Sequence, residues 1–155
     1  MSESYKLISD NRQARFLYEI METFEAGIEL TGTEVKSIRA GRVNLRDGFA
    51  SIWKGEAWLM NVHISPLSNV GQAFNHEPRR KRRLLMHKQE ISKLIGKTEQ
   101  KGLTLVPTKL YAKRGWMKVE IALARGKKLH DKREAVKERQ DKREMQRAMK
   151  RGADY

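Results

Sequence analysis

The chain has 155 residues, with 33 Lys and Arg against 19 Asp and Glu, a formal net charge of +14. That length suits one domain burying roughly two-thirds of its unfolded surface, and the clustered charge favours a polyanionic partner, either nucleic acid or an anionic membrane face. The lack of cysteine excludes disulfide and thiolate chemistry, and the sequence holds no apolar run of about 18 residues that would cross a bilayer.

Residues 1–12 are polar, lack the apolar stretch of a signal peptide and read as a mobile N-terminus. A long period-two pattern follows. Phe16, Tyr18, Ile20, Phe24, Ala26, Ile28 and Leu30 share one parity, and Glu19, Thr23, Glu25 and Glu29 the other, which predicts one long curved strand. Glu22 interrupts the apolar row and marks a bend or a bulge. Thr31-Gly-Thr-Glu34 is a capping box opening a short helix. In that helix Val35 and Ile38 face inward, Lys36, Arg39 and Arg42 face outward, and Gly41 ends it.

Phe49–Trp53 and Ala57–Ile64 predict a hairpin turned at Lys54-Gly55-Glu56, with Trp58, Met60, Val62 and Ile64 on one face. A Pro-, Ser-, Asn- and Gly-containing loop covers residues 65–78, and Pro78–Arg83 is the densest positive block. Helical spacing returns at Ile91, Leu94, Ile95 and Thr98, with Gly96 as a break point. A last strand pair, Leu103–Tyr111 and Trp116–Ala124, turns at Lys113-Arg114-Gly115; Trp116, Lys118 and Glu120 point away from its apolar face. About five or six strands with regular turns and no βαβ alternation predict a mainly β fold, an OB-like antiparallel β-barrel with about three small helices. The expected division is a mobile segment at 1–12, a barrel at 13–125 and a basic tail at 126–155.

From Glu134 onward only Val136, Met145, Met149 and the final Tyr155 are large and apolar. So little apolar surface cannot offset the entropy of ordering, so the tail either stays mobile or folds against a partner. Glu138 with Lys142 and Glu144 with Arg147 are spaced for helical pairs, which makes the tail helix-compatible.

Several residues admit two readings. Glu25 is either a solvated strand residue holding a Lys or Arg, or an acceptor for base amino groups. The Pro78–Arg83 block is an import signal, a solvated loop or an RNA-facing loop. Leu85, just after it, reads as a core leucine. Lys118 reads as a snorkelling surface lysine. His63, His76, His87 and His130 are scattered without metal-ligand spacing. No phosphate-cradling glycine loop, nucleophile elbow or paired-carboxylate motif is present, so neither an enzyme nor a cofactor is expected.

Three separated motifs resemble one family. They are Phe24-Glu-Ala-Gly-Ile-Glu-Leu30, then Gly32-x-Glu34-Val-Lys-Ser-Ile-Arg-Ala-Gly41, then Gly126-Lys-Lys-x-His-Asp-Lys-Arg133. In order and spacing the chain is similar to the SsrA-binding (small protein B) family from about Asn11 to Arg133. The resemblance implies a protein that binds the tRNA-like domain of transfer-messenger RNA (tmRNA) and carries it to the A site of a stalled ribosome. It implies tmRNA contacts at Asn11, Arg12, Arg15, Glu25, Lys36, Arg82, Arg83, Leu85 and Lys118. It implies decoding-centre contacts with small-subunit rRNA at Gly126, Lys127, Lys128, His130, Asp131, Lys132 and Arg133. A tail helix using Lys137, Arg139, Lys142, Arg143, Met145 and Met149 would lie in the empty mRNA channel. Ala148 departs from the family, where a bulkier aliphatic residue is common. Elongation factor Tu, reached through aminoacylated tmRNA, is the further implied partner. The expected protein is a cytoplasmic monomer that contacts no membrane. Two rivals are a structural ribosomal RNA-binding protein and an RNA-modifying or RNA-cleaving enzyme.

Overall fold

A computed structural model of the chain describes residues 5–100, 102–127, 140, 143 and 145. In chain order these form β1 (Tyr5–Asp10), α1 (Arg12–Leu17), β2 (Tyr18–Ile28), α2 (Gly32–Arg39), β3 (Val43–Asn44) and β4 (Phe49–Trp53). There follow β5 (Glu56–Met60), β6 (His63–Ile64), a 3₁₀ turn at Gln72–Phe74, β7 (Arg82–Leu85), α3 (Lys88–Thr98), β8 (Leu103–Lys113) and β9 (Trp116–Gly126).

All strand pairs are antiparallel. The main sheet runs β8-β4-β5-β7-β2-β9, and β9 pairs again with β8, so six strands close into a ring. Closure satisfies backbone groups that an open sheet would leave at its edges. The small β3–β6 pair lies apart from this ring. The fold is therefore the expected mainly β, OB-like barrel with three α-helices, but the described residues form nine strands where about five or six were expected.

The N-terminal segment differs from expectation. Residues 5–10 are not loose but form β1, which pairs with β8 from Tyr5↔Lys113 to Asp10↔Lys109. The reason is an unfilled edge: β4 meets β8 only at Leu105, leaving its C-terminal half for β1 to cover. The Tyr5 and Tyr111 rings lie 5.0 Å apart across this pair. Asn11 then stops the strand. Its Oδ1 accepts from the Ala14 N–H at 3.2 Å as the N-cap of α1, while its Nδ2 donates to the Pro107 carbonyl at 2.8 Å. The long strand consequently begins at Tyr18, not Phe16.

Along β2 the register with β9 shifts between Ile20 and Glu22, where the apolar row breaks. The displaced Glu22 accepts hydrogen bonds from Lys93 and Lys97 of α3, each at 2.7 Å, and ties that helix to the barrel. α3 runs unbroken through Gly96 and is anchored by fully buried Leu94. The core joins Phe24, Ala26, Ile38, Leu45, Leu59, Ile64, Leu84, Leu105, Leu110, Val119, Ile121 and Leu123. A second cluster, Ala14, Val106, Ala122 and Ala124, seats α1 on the β8–β9 pair.

β5 reverses the expected face. Ala57 and Leu59 are buried, so Trp58 and Met60 point outward. Asn61 adopts φ 57°, which ends the strand and resets the alternation, and Val62 and Ile64 turn inward after it. A left-handed residue breaks period-two counting, and Asn tolerates that conformation well.

Candidate nucleic-acid interface

β7 decides which residues of the basic block reach a ligand. Its alternation buries Arg82 and Leu84 and exposes Arg83 and Leu85. Leu85 is thus a surface leucine, half exposed, and Leu84 supplies the core contact. Arg82 is wholly enclosed and pairs with Glu34. Its Nη1 donates to the Val62 carbonyl at 2.8 Å and its Nη2 to the Pro78 carbonyl at 3.1 Å. The expectation that Arg82 meets RNA is corrected: its donors are spent inside the protein.

Around Leu85 lies a cleft of about 500 Å³. β2 contributes Glu25 and Gly27, the β4–β5 turn Gly55, β7 Arg83 and Leu85, the start of α3 His87 and Lys88, and β9 Lys118. Register explains the convergence. Gly27 stands opposite both Leu85 on β7 and Lys118 on β9. With no side chain between them, the Gly27 backbone forms the floor. A Cβ there would sit 3.2 Å from the Leu85 Cβ.

Glu25 is paired directly with Glu120 of β9. Opposed like charges weaken a sheet, and each carboxylate here has its own partner. The Tyr111 hydroxyl donates to Glu25 Oε2 at 2.5 Å, and Lys113 Nζ approaches the same oxygen at 3.5 Å. The Thr108 hydroxyl donates to Glu120 at 2.5 Å. The Tyr111 bond, more than Lys113, holds the Glu25 carboxyl below its ordinary range despite some burial. Burial and the Glu25 bond push the Tyr111 phenol upward, so it stays a donor. Tyr111 and Lys113 both approach Glu25 at Oε2, and Lys118 and Leu85 line the same cleft.

Four expected residues, Glu25, Arg83, Leu85 and Lys118, therefore share one cleft. Arg83 also contacts Glu56 at 3.3 Å. The others lie elsewhere. Lys36 is exposed on α2, and Arg15 pairs with Asp10 at 3.0 Å. Arg12 borders a second hollow, about 550 Å³, together with Phe16, Asn44 and Arg46. Asn11 lines it too, yet is buried and committed to capping α1. Tyr111, Lys113 and Gly27 were not singled out from the sequence. Only the cross-strand register reveals them.

Gly126 and Lys127, expected in the tail, belong to the barrel. Gly126 closes β9 opposite Tyr18, and the Lys127 N–H donates to the Leu17 carbonyl at 3.1 Å. Lys127 Nζ also lies 5.9 Å from the Phe16 ring centre. Arg143 and Met145 are helical and exposed. Lys128, His130, Asp131, Lys132, Arg133, Lys137, Arg139, Lys142 and Met149 lie outside the described residues. Among the described residues no group of three or more His, Asp or Glu side chains could hold a metal, and no helix is long and apolar enough to cross a membrane.

Ring and cleft define a small closed β-barrel protein whose outer cleft mixes Glu25, Glu56 and Glu90 with Arg83, Lys88 and Lys118. The chain belongs to the SmpB family, whose model, described as SmpB protein, matches residues 8–151. It is 77% identical to the SsrA-binding protein of Acaryochloris marina (strain MBIC 11017), over 99% of this chain and all of that one. It is 69% identical to the SsrA-binding protein of Thermosynechococcus vestitus (strain NIES-2133 / IAM M-273 / BP-1), over 97% and 99% of the two chains. A chain in the solved structure "tmRNA-SmpB: a journey to the center of the bacterial ribosome" superposes with a TM-score of 0.68 at 54% identity. That match covers 83% of this chain and 93% of the other.

Proposed function

We propose that this protein binds the tRNA-like domain of tmRNA and delivers it to the A site of ribosomes stalled without a stop codon. The observation that carries this reading is the cleft in which Glu25, Arg83, Leu85 and Lys118 converge. Its composition suits looped RNA better than duplex. Leu85 offers a flat apolar contact to an unstacked base, and Lys118 a phosphate or sugar contact. The Glu25 carboxylate accepts from a base amino group, which phosphate never offers. Membership in a family of SsrA-binding proteins supports the choice of RNA.

In this reading the barrel performs no chemistry and acts as a monomer in the cytoplasm. Elongation factor Tu joins through the aminoacylated end of tmRNA. The tail beyond the barrel contacts the decoding centre and the vacant mRNA channel, so that tagging begins only where no message fills that channel. The test is affinity for the tRNA-like domain of tmRNA against bulk transfer RNA. Preference for tmRNA that falls with Glu25→Ala and Lys118→Ala is the expected result, and equal binding of both RNAs rejects the reading.

A further inference from the structure

The outer face of β4, β5 and β7 carries an aromatic and cationic feature that the cleft does not use. Ala50, Ala57, Leu59 and Leu84 turn inward, so the strand residues between them turn out. Trp58 stands opposite Ser51 on one side and Arg83 on the other, and Trp53 stands opposite Glu56. The two indoles are therefore diagonal neighbours, separated by roughly 7–8 Å at the backbone. Lys81 Nζ lies 4.4 Å from the Trp58 ring centre and 5.0 Å from that of Trp53. Lys54 Nζ lies 4.5 Å from the Trp53 centre.

Lysines resting on surface indoles are ordinary snorkelling. Two observations go beyond it. Trp53 is 56% exposed, a large apolar area to leave in water. The Nε1–H of Trp58 is shielded from solvent and has no acceptor among the described residues, a state that buried donors seldom keep.

We propose that this face is a docking surface for single-stranded RNA. Unpaired bases stack on Trp53 and enter beside Trp58, and the ammonium groups of Lys54 and Lys81 move from the rings to the phosphates. Every base has a flat π-face, so such a platform takes any sequence, whereas a duplex keeps its bases stacked on each other. An acidic peptide would satisfy the lysines but leave the indoles uncovered. The surface meets the cleft at Gly55, Glu56 and Arg83, yet the proposal does not depend on the tmRNA reading.

The test uses the full chain carrying Trp116→Phe, so that fluorescence reports Trp53 and Trp58 alone. It is titrated with an oligouridylate of about eight nucleotides, a length within the site size of small barrels, and with a blunt RNA duplex of equal charge. Saturable quenching by the single strand and about tenfold weaker duplex binding are expected. Trp53→Ala should weaken oligouridylate binding about tenfold, with Trp53→Phe restoring most of it. Glu25→Ala should leave it unchanged, which separates this surface from the tRNA-like-domain site. Circular dichroism confirms folding, and Lys54→Glu with Lys81→Glu provides a second disruption of the same face. Equal affinity of parent and Trp53→Ala, equal binding of duplex, or equal competition by polyglutamate would overturn the proposal.

Discussion

Arg82 and Glu34 form an ion pair in which neither side chain reaches solvent. Glu34 also accepts from Arg80 at 2.6 Å and from the Thr31 N–H at 2.9 Å. One carboxylate thus closes the capping box of α2 and fastens that helix to β7. Removing one partner leaves the other charge buried and alone. Glu34→Gln should therefore cost about 3–5 kcal/mol in urea unfolding. The neighbouring exposed position should respond differently: Arg83→Gln should stay within about 1 kcal/mol. Equal effects at the two sites would contradict the in-and-out alternation of β7.

Burial alone would raise the Glu34 pKa, but hydrogen bonds from Arg80, the Thr31 backbone and Arg82 overcome it and hold the value at about 2, against an ordinary 4.5. The folded pKa lies below the unfolded one. The stabilisation is thus fully present above 4.5 and is lost as pH falls toward 2. Its size is roughly 3 kcal/mol by linkage. Glu22 is also depressed, by Lys93 and Lys97, but exposed pairs add little. Urea midpoints measured down this window should fall steeply in the parent and more gently in Glu34→Gln. Parallel curves would remove Glu34 as the source.

Much of this fold could be read from alternation and capping. The Thr31–Glu34 box, the bulge before Glu22 and both glycine-containing hairpin turns stand where the residues place them. What escaped depends on partners distant in sequence. Nothing local in Tyr5–Asp10 reveals that half of β8 needs an edge strand. The charge of Arg82 argues for the surface, and only Glu34, 48 residues away, makes its burial tolerable. At the site, Glu25, Leu85 and Lys118 were identified through family motifs and outward parity. Tyr111 and Gly27 became visible only through register, because their roles are to orient Glu25 and to leave space.

Tyr111 gives the Glu25 carboxylate a fixed direction. Tyr111→Phe removes that donor but keeps the ring, and Lys113 remains beside the same oxygen. The Glu25 pKa should then rise toward its ordinary range, as a carboxyl-selective NMR titration would read. Affinity for tmRNA should fall by less than with Glu25→Ala, which should cost about 1–3 kcal/mol if the carboxylate reads bases. An unchanged dissociation constant for Glu25→Ala removes that residue from the site.

Gly48 is where two parts of the core meet too closely for a side chain. An added Cβ would lie 2.6 Å from Val62 Cγ2, 2.9 Å from the Leu45 carbonyl and 3.1 Å from Pro107 Cγ. Gly48→Ala should cost about 1–3 kcal/mol by overpacking, seen as a lower thermal midpoint. Gly96→Ala meets open space within α3 and should instead stabilise, by up to about 1 kcal/mol. A neutral Gly48→Ala would mean that Val62 and Pro107 yield more freely than a packed core permits.

The barrel is complete at Lys127, whose N–H bonds to Leu17 and whose neighbour Gly126 pairs with Tyr18. Truncation after Arg133 therefore leaves every described barrel contact in place. If the cleft holds tmRNA, that truncation should keep its affinity within about threefold, less than 1 kcal/mol, while abolishing tagging on stalled ribosomes. Binding by full-length and truncated chains should weaken alike with salt, with a log–log slope reflecting roughly four to eight neutralised phosphates. A much shallower slope after truncation would transfer those phosphates to the tail. Tagging that survives truncation would break the link between the tail and the empty channel and leave the barrel as sole actor.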